Sequence, residues 1–326
     1  MSLSGIIKLD QKDCKILQEL DFNARIPYSE LGKKVGLSKQ GAEYRVETLI
    51  KKGVIKGFYP VINVPKLGYL YCRLLLTFEN TSKEEYQSIL DFISRHKKVF
   101  WLFKMQGVFD VILVAWCKSL LEFQAFIEEI EIKFSGFIKH RVENIMTDVI
   151  HYRQRYLLES KDTKEIHLKE TQERIQLDDL DLEITRQLCS DGRISLVKIA
   201  SLAGVSAKLI SLRLKKLEQR GIIEAYRPII DHNTLGFTYY KIFISLKRTS
   251  REQIQQIKEM IRNNPQVIYQ IEGIALPLDL DIEVMVSSNK QLFDLMEKLK
   301  FAFPKSVGEY QTVIFMDTLK VKYLPF

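Results

Sequence analysis

The 326-residue chain repeats itself. Leu9-Asp10 returns as Leu177-Asp178, Ala24-Arg25-Ile26 as Gly192-Arg193-Ile194, Pro60 as Pro228 and Leu67-Gly68-Tyr69 as Leu235-Gly236-Phe237, each 168 residues later and without a gap. A period of that length lies far beyond solenoid or propeller repeats, so a whole folding unit has been duplicated. Whatever fold serves the first half must serve the second.

Within the unit, the strongest local signal runs from 31 to 55. Leu31 and Val35 lead to Gly36, placed where the chain reverses and a residue tolerant of positive φ is favoured. Ser38 follows as an N-cap, and Ala42, Val46, Leu49 and Ile50 line one face of a second helix over 38–52. Gly53 closes that helix and Val54-Ile55 opens an apolar run suited to a wing strand. Two short helices hinged on a glycine read as a helix-turn-helix. Gly204, Ser206, Ile210, Leu214, Leu217 and Gly221-Ile222-Ile223 repeat the pattern. An earlier helix over 9–20, capped by Asp10 and burying Ile16, Leu17 and Leu20, completes a three-helix unit. Residues 58–64 contain Pro60 and suit an edge strand.

From Tyr69 onward the period becomes that of strands. Strand 71–78, helix 83–96, strands 99–104 and 110–116, helix 120–134 and strand 138–152 give a β-α-β-β-α-β order, the ferredoxin-like arrangement. The second half matches it with strand 239–246, helix 251–263, strands 267–272 and 280–286, helix 289–301 and strand 308–321. The expected class is α+β: two copies of a winged helix-turn-helix domain (1–64 and 177–232), each followed by a ferredoxin-like domain (65–153 and 233–326). Between the halves, 154–176 is rich in Lys, Glu, Arg and Gln and is expected to be a solvated linker.

Composition narrows function little further. Lys and Arg exceed Asp and Glu by 49 to 41, a basic excess of +8 that permits a polyanionic partner. Cys14, Cys72, Cys117 and Cys189 are scattered, which argues against a zinc site and a secreted disulfide scaffold. His96, His140, His151, His167 and His232 form no metal-binding pair, and no nucleophile elbow or phosphate-binding loop occurs. The sequence therefore predicts no catalytic set, no metal and no cofactor. No apolar signal segment opens the chain and no stretch is long enough to span a membrane, so a cytoplasmic protein is expected.

A winged helix-turn-helix followed by a β-α-β-β-α-β domain resembles the Lrp/AsnC, or feast/famine, family of transcriptional regulators, whose second domain is the RAM domain. Leu9-Asp10, Ala24-Arg25-Ile26, Leu37-Ser38, Arg45-Val46, Leu49, Gly53-Val54-Ile55 and Leu67-Gly68-Tyr69 carry the resemblance, twice over. It implies sequence-specific binding of double-stranded DNA. The start of the second helix then faces base edges while basic groups hold phosphates. These residues are Ser38, Lys39, Gln40, Glu43 and Tyr44 in the first unit, and Ala207, Lys208, Ser211 and Leu212 in the second. Gln40 has the amide that pairs with adenine. Arg45 and Arg213 recur at matched places, open either to phosphate or to a salt bridge within the three helices. With Lys215 and its neighbours, the second helix carries a net +4 against +2 for the first.

The resemblance also implies self-association through the ferredoxin-like sheets and, as in many relatives, an amino-acid effector near a Gly-x-x-Asp turn. Gly107 and Asp110 match that turn, although a plain hairpin favours the same residues. In the second copy the turn from Gly273 to Asp279 is longer by three residues. Two other readings are weighed. Siroheme decarboxylases resemble the same plan, but their His-, Arg- and Tyr-bearing segment corresponds here to Phe100-Trp101-Leu102-Phe103-Lys104-Met105-Gln106-Gly107, without His or Arg. A DNA-coating architectural protein would bind with little sequence preference.

Overall fold

A computed structural model describes residues 5–158, 160 and 162–325. Residues 1–4 and 326, at the ends of the expected 1–64 and 233–326 units, and 159 and 161, in the expected linker, lie outside the described residues. The first half runs α1 (Gln11–Leu20), α2 (Tyr28–Val35), α3 (Lys39–Lys51), β1 (Ile55–Ile62), β2 (Leu70–Phe78), α4 (Lys83–Arg95), β3 (Val99–Gln106), β4 (Val111–Cys117), α5 (Leu120–Phe134) and β5 (Ile138–Tyr152). β6 (Glu165–Lys169) follows. The second half is α6 (Asp179–Ser190), α7 (Leu196–Ala203), α8 (Ala207–Gln219), β7 (Ile223–Ile230), β8 (Thr238–Leu246), α9 (Arg251–Asn263), β9 (Val267–Ile274), β10 (Leu280–Val286), α10 (Asn289–Ala302) and β11 (Val307–Val321).

The expected caps form. Asp10 and Ser38 accept hydrogen bonds from the backbone N–H groups of Asp13 and Gly41, and Asp178 and Ser206 repeat this in the second unit. Gly36 and Gly204 reverse the chain between the paired helices at φ +68° and +66°, where any other side chain would be strained.

The two three-helix units are joined face to face. β1 does not fold back as a wing on its own unit; it pairs antiparallel with β7 in a two-stranded ribbon. Tyr59 lies opposite Arg227, its own equivalent, so an approximate two-fold axis passes through that pair. Pro60 is tolerated because each strand of a two-stranded ribbon has a free edge. Contacts across the axis come in matched sets. The Ala24 N–H donates to the Tyr226 carbonyl (2.9 Å) and that of Gly192 to Phe58 (2.8 Å). The Arg25 guanidinium donates to the carbonyls of Gly192 (2.8 Å) and Ile194 (3.0 Å), and Arg193 donates in return to those of Ala24 and Ile26. The repeated Ala/Gly-Arg-Ile motif is thus a reciprocal clamp between the halves.

Below the ribbon, both ferredoxin-like sheets close into one barrel with strand order β2-β4-β3-β11-β8-β10-β9-β5, and β5 returns to β2. The two 15-residue strands make the closure. β5 pairs with β2 along its first part and β9 along its second, while β11 pairs with β8 and then β3. The sheets therefore associate within one chain. Helices α4 and α5 cover one side over Leu74, Ile89, Phe126 and their neighbours, and α9 and α10 the other over Ile242, Ile257 and Leu299.

The segment between the halves is not a free tether. Its strand β6 pairs with the end of β5, and Ile166, Leu168 and Ile175 are buried. Charge-rich composition hid this because the segment's arginines serve backbone: Arg155 donates to the carbonyls of Arg262 and Asn264 (3.3 Å to the latter) and Arg174 to that of Pro65 (3.1 Å). His167 on β6 hydrogen-bonds Asp148 (2.7 Å) and Glu165 (3.2 Å), and first the Asp148 bond, then the nearby negative charge, raises it to about 9.

Two outcomes follow from these contacts. Arg25→Ala removes a charge-assisted pair of bonds across the axis and is expected to cost about 2 kcal/mol in urea unfolding, whereas Lys8→Ala leaves the midpoint unchanged. The raised His167 stabilises the fold fully below its unfolded value near 6.5 and loses that contribution as pH climbs through about 9. Amide exchange in 165–169 should accelerate over this window beyond its intrinsic pH dependence, and His167→Gln should abolish the excess.

Candidate nucleic-acid interface and a central chamber

On α3, Lys39 and Gln40 are exposed and Tyr44 is 70% exposed, while Glu43 is half-buried. On α8, Lys208 and Lys215 are exposed, Leu212 is 58% exposed and Ser211 half-buried. The helix starts therefore present different chemistry: an amide, an ammonium and a phenol on one, an ammonium and an aliphatic surface on the other. Ser38 is occupied by its capping bond to Gly41 (3.0 Å). The two arginines form ion pairs. Arg45 holds Asp10 (2.7 Å) and Asp13 (2.8 Å) of α1, and Arg213 holds Asp178 (2.5 Å) and Asp181 (3.3 Å) of α6. Both guanidiniums lash the second helix of the motif to the first helix of its unit.

The Gly107–Asp110 turn is filled by structure. Asp110 accepts from the Phe78 N–H (2.7 Å), and Asp279 accepts identically from Leu246 (2.6 Å), so the aspartates tie the hairpins to the ends of β2 and β8. A Cβ on Gly107 would lie 2.8 Å from the Thr312 carbonyl oxygen and from the Val313 side chain. β11 of the other half occupies the space beside this glycine.

A cavity between the two halves lies elsewhere. A chamber of about 440 Å³ sits between the barrel mouth and the underside of the β1–β7 ribbon. Tyr59, Pro60 and Ile62 of β1 with Pro228 and Ile230 of β7 line it from the ribbon side. The first half contributes Tyr71, Arg73, Phe100, Trp101 and Trp116; the second contributes Tyr239, Tyr269, Glu283 and Met285. Phe100 and Trp116 stack at 3.9 Å with planes 6° apart. Met316 and Val321, on the lining and 48% and 40% exposed, mark its opening along β11.

Beneath and beside the chamber lies a buried charge network. Arg73 and Lys241 are equivalent residues of the two halves, and both are essentially inaccessible. Arg73 pairs with Asp281 and donates from Nε to Asn144 (2.8 Å); Lys241 pairs with Asp281 (2.7 Å) and Glu283 (2.8 Å). Tyr239 donates its hydroxyl to Glu283. Two cations thus balance two carboxylates. At the axis, Arg227 is paired with Asp21 (2.7 Å), its Nη1 lying 3.3 Å from His151 Nδ1. Burial opposes that charge, but Asp21 more than offsets it and raises the Arg227 pKa. His151 is held well below its ordinary value by burial and by Arg227, so it is neutral; Nδ1 accepts and the proton sits on Nε2. Burial likewise lowers His232 to about 4, and its Nδ1 lies 2.7 Å from the Tyr156 hydroxyl. Among the described residues no group of three or more His, Cys, Asp or Glu side chains is placed to hold a metal ion.

The family model described as winged helix-turn-helix DNA-binding matches residues 9–56 and again 177–224. The HTH-type transcriptional regulator Ptr1 of Methanocaldococcus jannaschii is 31% identical over 121 residues, covering 37% of this chain and 80% of that protein. The chain belongs to the Lrp/AsnC family of DNA-binding transcriptional regulators. The regulatory protein AsnC of Haemophilus influenzae is 29% identical over 114 residues, 35% of this chain and 75% of that one. Each such match covers a little over a third of this chain. Over the whole length, the structure is similar to siroheme decarboxylase NirDL, with a TM-score of 0.62, 12% identity and coverage of 97% of this chain and 94% of that one. At that identity the likeness is one of fold, and the same two-unit architecture serves both.

Sequence reasoning placed the helix starts but missed the chamber. The signal was there: a lone Arg73 inside the apolar run 71–78, its equivalent Lys241, and Asp281 and Glu283 at alternate positions of an otherwise apolar strand, all buried on the same barrel interior.

These placements separate two kinds of basic residue in the regulator. Arg45→Ala should lower the thermal midpoint by a few degrees through loss of two half-exposed ion pairs, with Ser38→Ala costing about 1 kcal/mol through its cap. Lys39→Ala should leave the midpoint within error and instead reduce the slope of log affinity against log salt by about one, the loss of one phosphate contact.

Proposed function

We propose that this chain reads one asymmetric operator with both recognition helices at once, as the single-chain equivalent of a regulator dimer in the cytoplasm. The reciprocal Arg25 and Arg193 clamp around the β1–β7 ribbon carries this reading, because it holds the two helix-turn-helix units to each other rather than leaving them on a tether. Two units related by a two-fold axis suit half-sites in successive major grooves, roughly 34 Å apart. Lys39, Gln40, Glu43 and Tyr44 address one half-site and Lys208, Ser211, Leu212 and Lys215 the other. Gln40 matches adenine, and the exposed Leu212 suits a thymine methyl group. The operator is therefore imperfectly palindromic.

The eight barrel strands pair with one another within the chain, and only the five-residue β6 ends the sheet, which supports a working unit of one chain rather than further sheet-to-sheet association. A small-molecule effector belongs to this reading, and the chamber rather than the packed Gly107–Asp110 turn has the room for one. A regulatory role is favoured over catalysis because the two imidazoles on the chamber wall are neutral and already engaged, His151 with Arg227 and His232 with Tyr156.

Selection of bound fragments from sheared genomic DNA at moderate salt tests the proposal, with Gln40→Ala and Lys208→Ala run in parallel. The expected result is one asymmetric motif, relaxed in a different half by each variant. Retention without any motif, or a symmetric motif relaxed equally by both, would overturn it.

A further inference from the structure

The chamber's polar groups are unevenly satisfied. Lys241 and Tyr239 hydrogen-bond Glu283, while Asp281 is held by the charges of Arg73 and Lys241 without a hydrogen bond to either oxygen. The donors are not all answered. Arg73 Nη2 and Trp116 Nε1, both buried and both on residues lining the chamber, have no acceptor, and Asn144 Nδ2 next to Arg73 has none either. A buried donor without a partner carries a desolvation cost that a ligand acceptor removes. Arg73 lies opposite Val114 in the β2–β4 ladder and Trp116 opposite Tyr71, so the two donors sit diagonally on the same face of adjacent strands. One two-oxygen group can serve both. Around them the wall is aromatic: Tyr71, the Phe100–Trp116 stack and Trp101.

We propose that the chamber is a binding site for a flat aromatic carboxylate, whose oxygens take the Arg73 and Trp116 donors while its ring system lies against Phe100, Trp101 and Trp116. Its volume is in the range of small-molecule sites. Duplication made this possible. At the positions of Phe100, Trp101 and Trp116 the second half has Ile268, Tyr269 and Met285, so one wall stacks and the other is phenolic and carboxylate-bearing. Binding is also placed to reach the DNA-reading units, because the strands above the ligand are the ribbon that joins them; this regulatory step rests on the reading given above.

Both tryptophans of the chain line the chamber, so intrinsic fluorescence reports on it without a label. Naphthalene-2-carboxylate and the neutral naphthalene-2-carboxamide are titrated into the full chain by calorimetry, with tryptophan emission followed in parallel. One carboxylate per chain is expected to bind, with quenching of tryptophan emission, about tenfold or more tighter than the carboxamide. Arg73→Met is expected to erase that preference. Because this variant leaves part of a buried network unpaired, Trp116→Phe is measured too; it leaves one six-membered ring against Phe100 but removes the pyrrole ring with its N–H, and is expected to weaken the carboxylate severalfold. Equal affinity for both probes, binding indifferent to Trp116→Phe, or no heat and no emission change at millimolar probe would overturn the assignment. In a separate arm the carboxylate is added to the complex with selected DNA and a change in affinity is read. A chain that binds the carboxylate but no DNA would sink the regulator reading and leave the chamber assignment standing.

Discussion

The pairing of β1 with β7 governs the architecture. It places Tyr59 opposite Arg227 on an approximate two-fold axis, brings Arg25 within reach of Gly192 and Ile194, and brings Arg193 within reach of Ala24 and Ile26. A wing that paired within its own unit would leave each three-helix unit to move on whatever chain connects it to the barrel. Exchanged between units, the same eight residues fix one DNA-reading helix with respect to the other. Backbone hydrogen bonds across the ribbon and charge-assisted bonds to carbonyls make the junction specific, since both depend on register rather than on apolar area alone.

The barrel is the second consequence of joining two units in one chain. Long strands β5 and β11 each begin in their own sheet and end in the other, so no half can complete its sheet alone. Closure pairs β2 with β5 inside the chain and leaves the short β6 as the sheet's terminal strand. It also encloses a space that belongs to neither half. Once two copies are linked, residues on opposite sides of the axis are free to diverge, and here they have: Arg227 against Tyr59, Asp21 against Cys189, Trp101 against Tyr269. Arg227 takes Asp21 as its buried partner, while Tyr59 stacks on Tyr323 at 4.5 Å. The asymmetry expected at the base-facing ends of α3 and α8 thus continues through the centre of the molecule.

Much of this was legible before any coordinates. The 168-residue register, the caps at Asp10 and Ser38, the reversal at Gly36 and the β-α-β-β-α-β order follow from local chemistry and periodicity, and they hold. Long-range choices did not show. Nothing in residues 55–62 says that their partner lies 168 positions away rather than nearby, because a strand's pattern records which faces are buried and not which strand buries them. The charged segment before Leu177 looked solvated because Arg155 and Arg174 were counted as charges, whereas they act as donors to carbonyls. Arg45 was ambiguous for the same reason: a basic residue on a DNA-reading helix can serve phosphate or its own scaffold, and its ion pairs with Asp10 and Asp13 show only in the fold.

The central claim is that one chain does the work of two protomers, and it is tested most directly by stoichiometry. Native mass spectrometry of the complex between the full chain and its selected operator should give one chain per duplex, at concentrations where the free protein has the mass of a single chain. Two chains per duplex, each protecting its own pair of half-sites or sharing one, would contradict the account, because the clamped ribbon would then not be the element that sets the spacing of the DNA-reading helices.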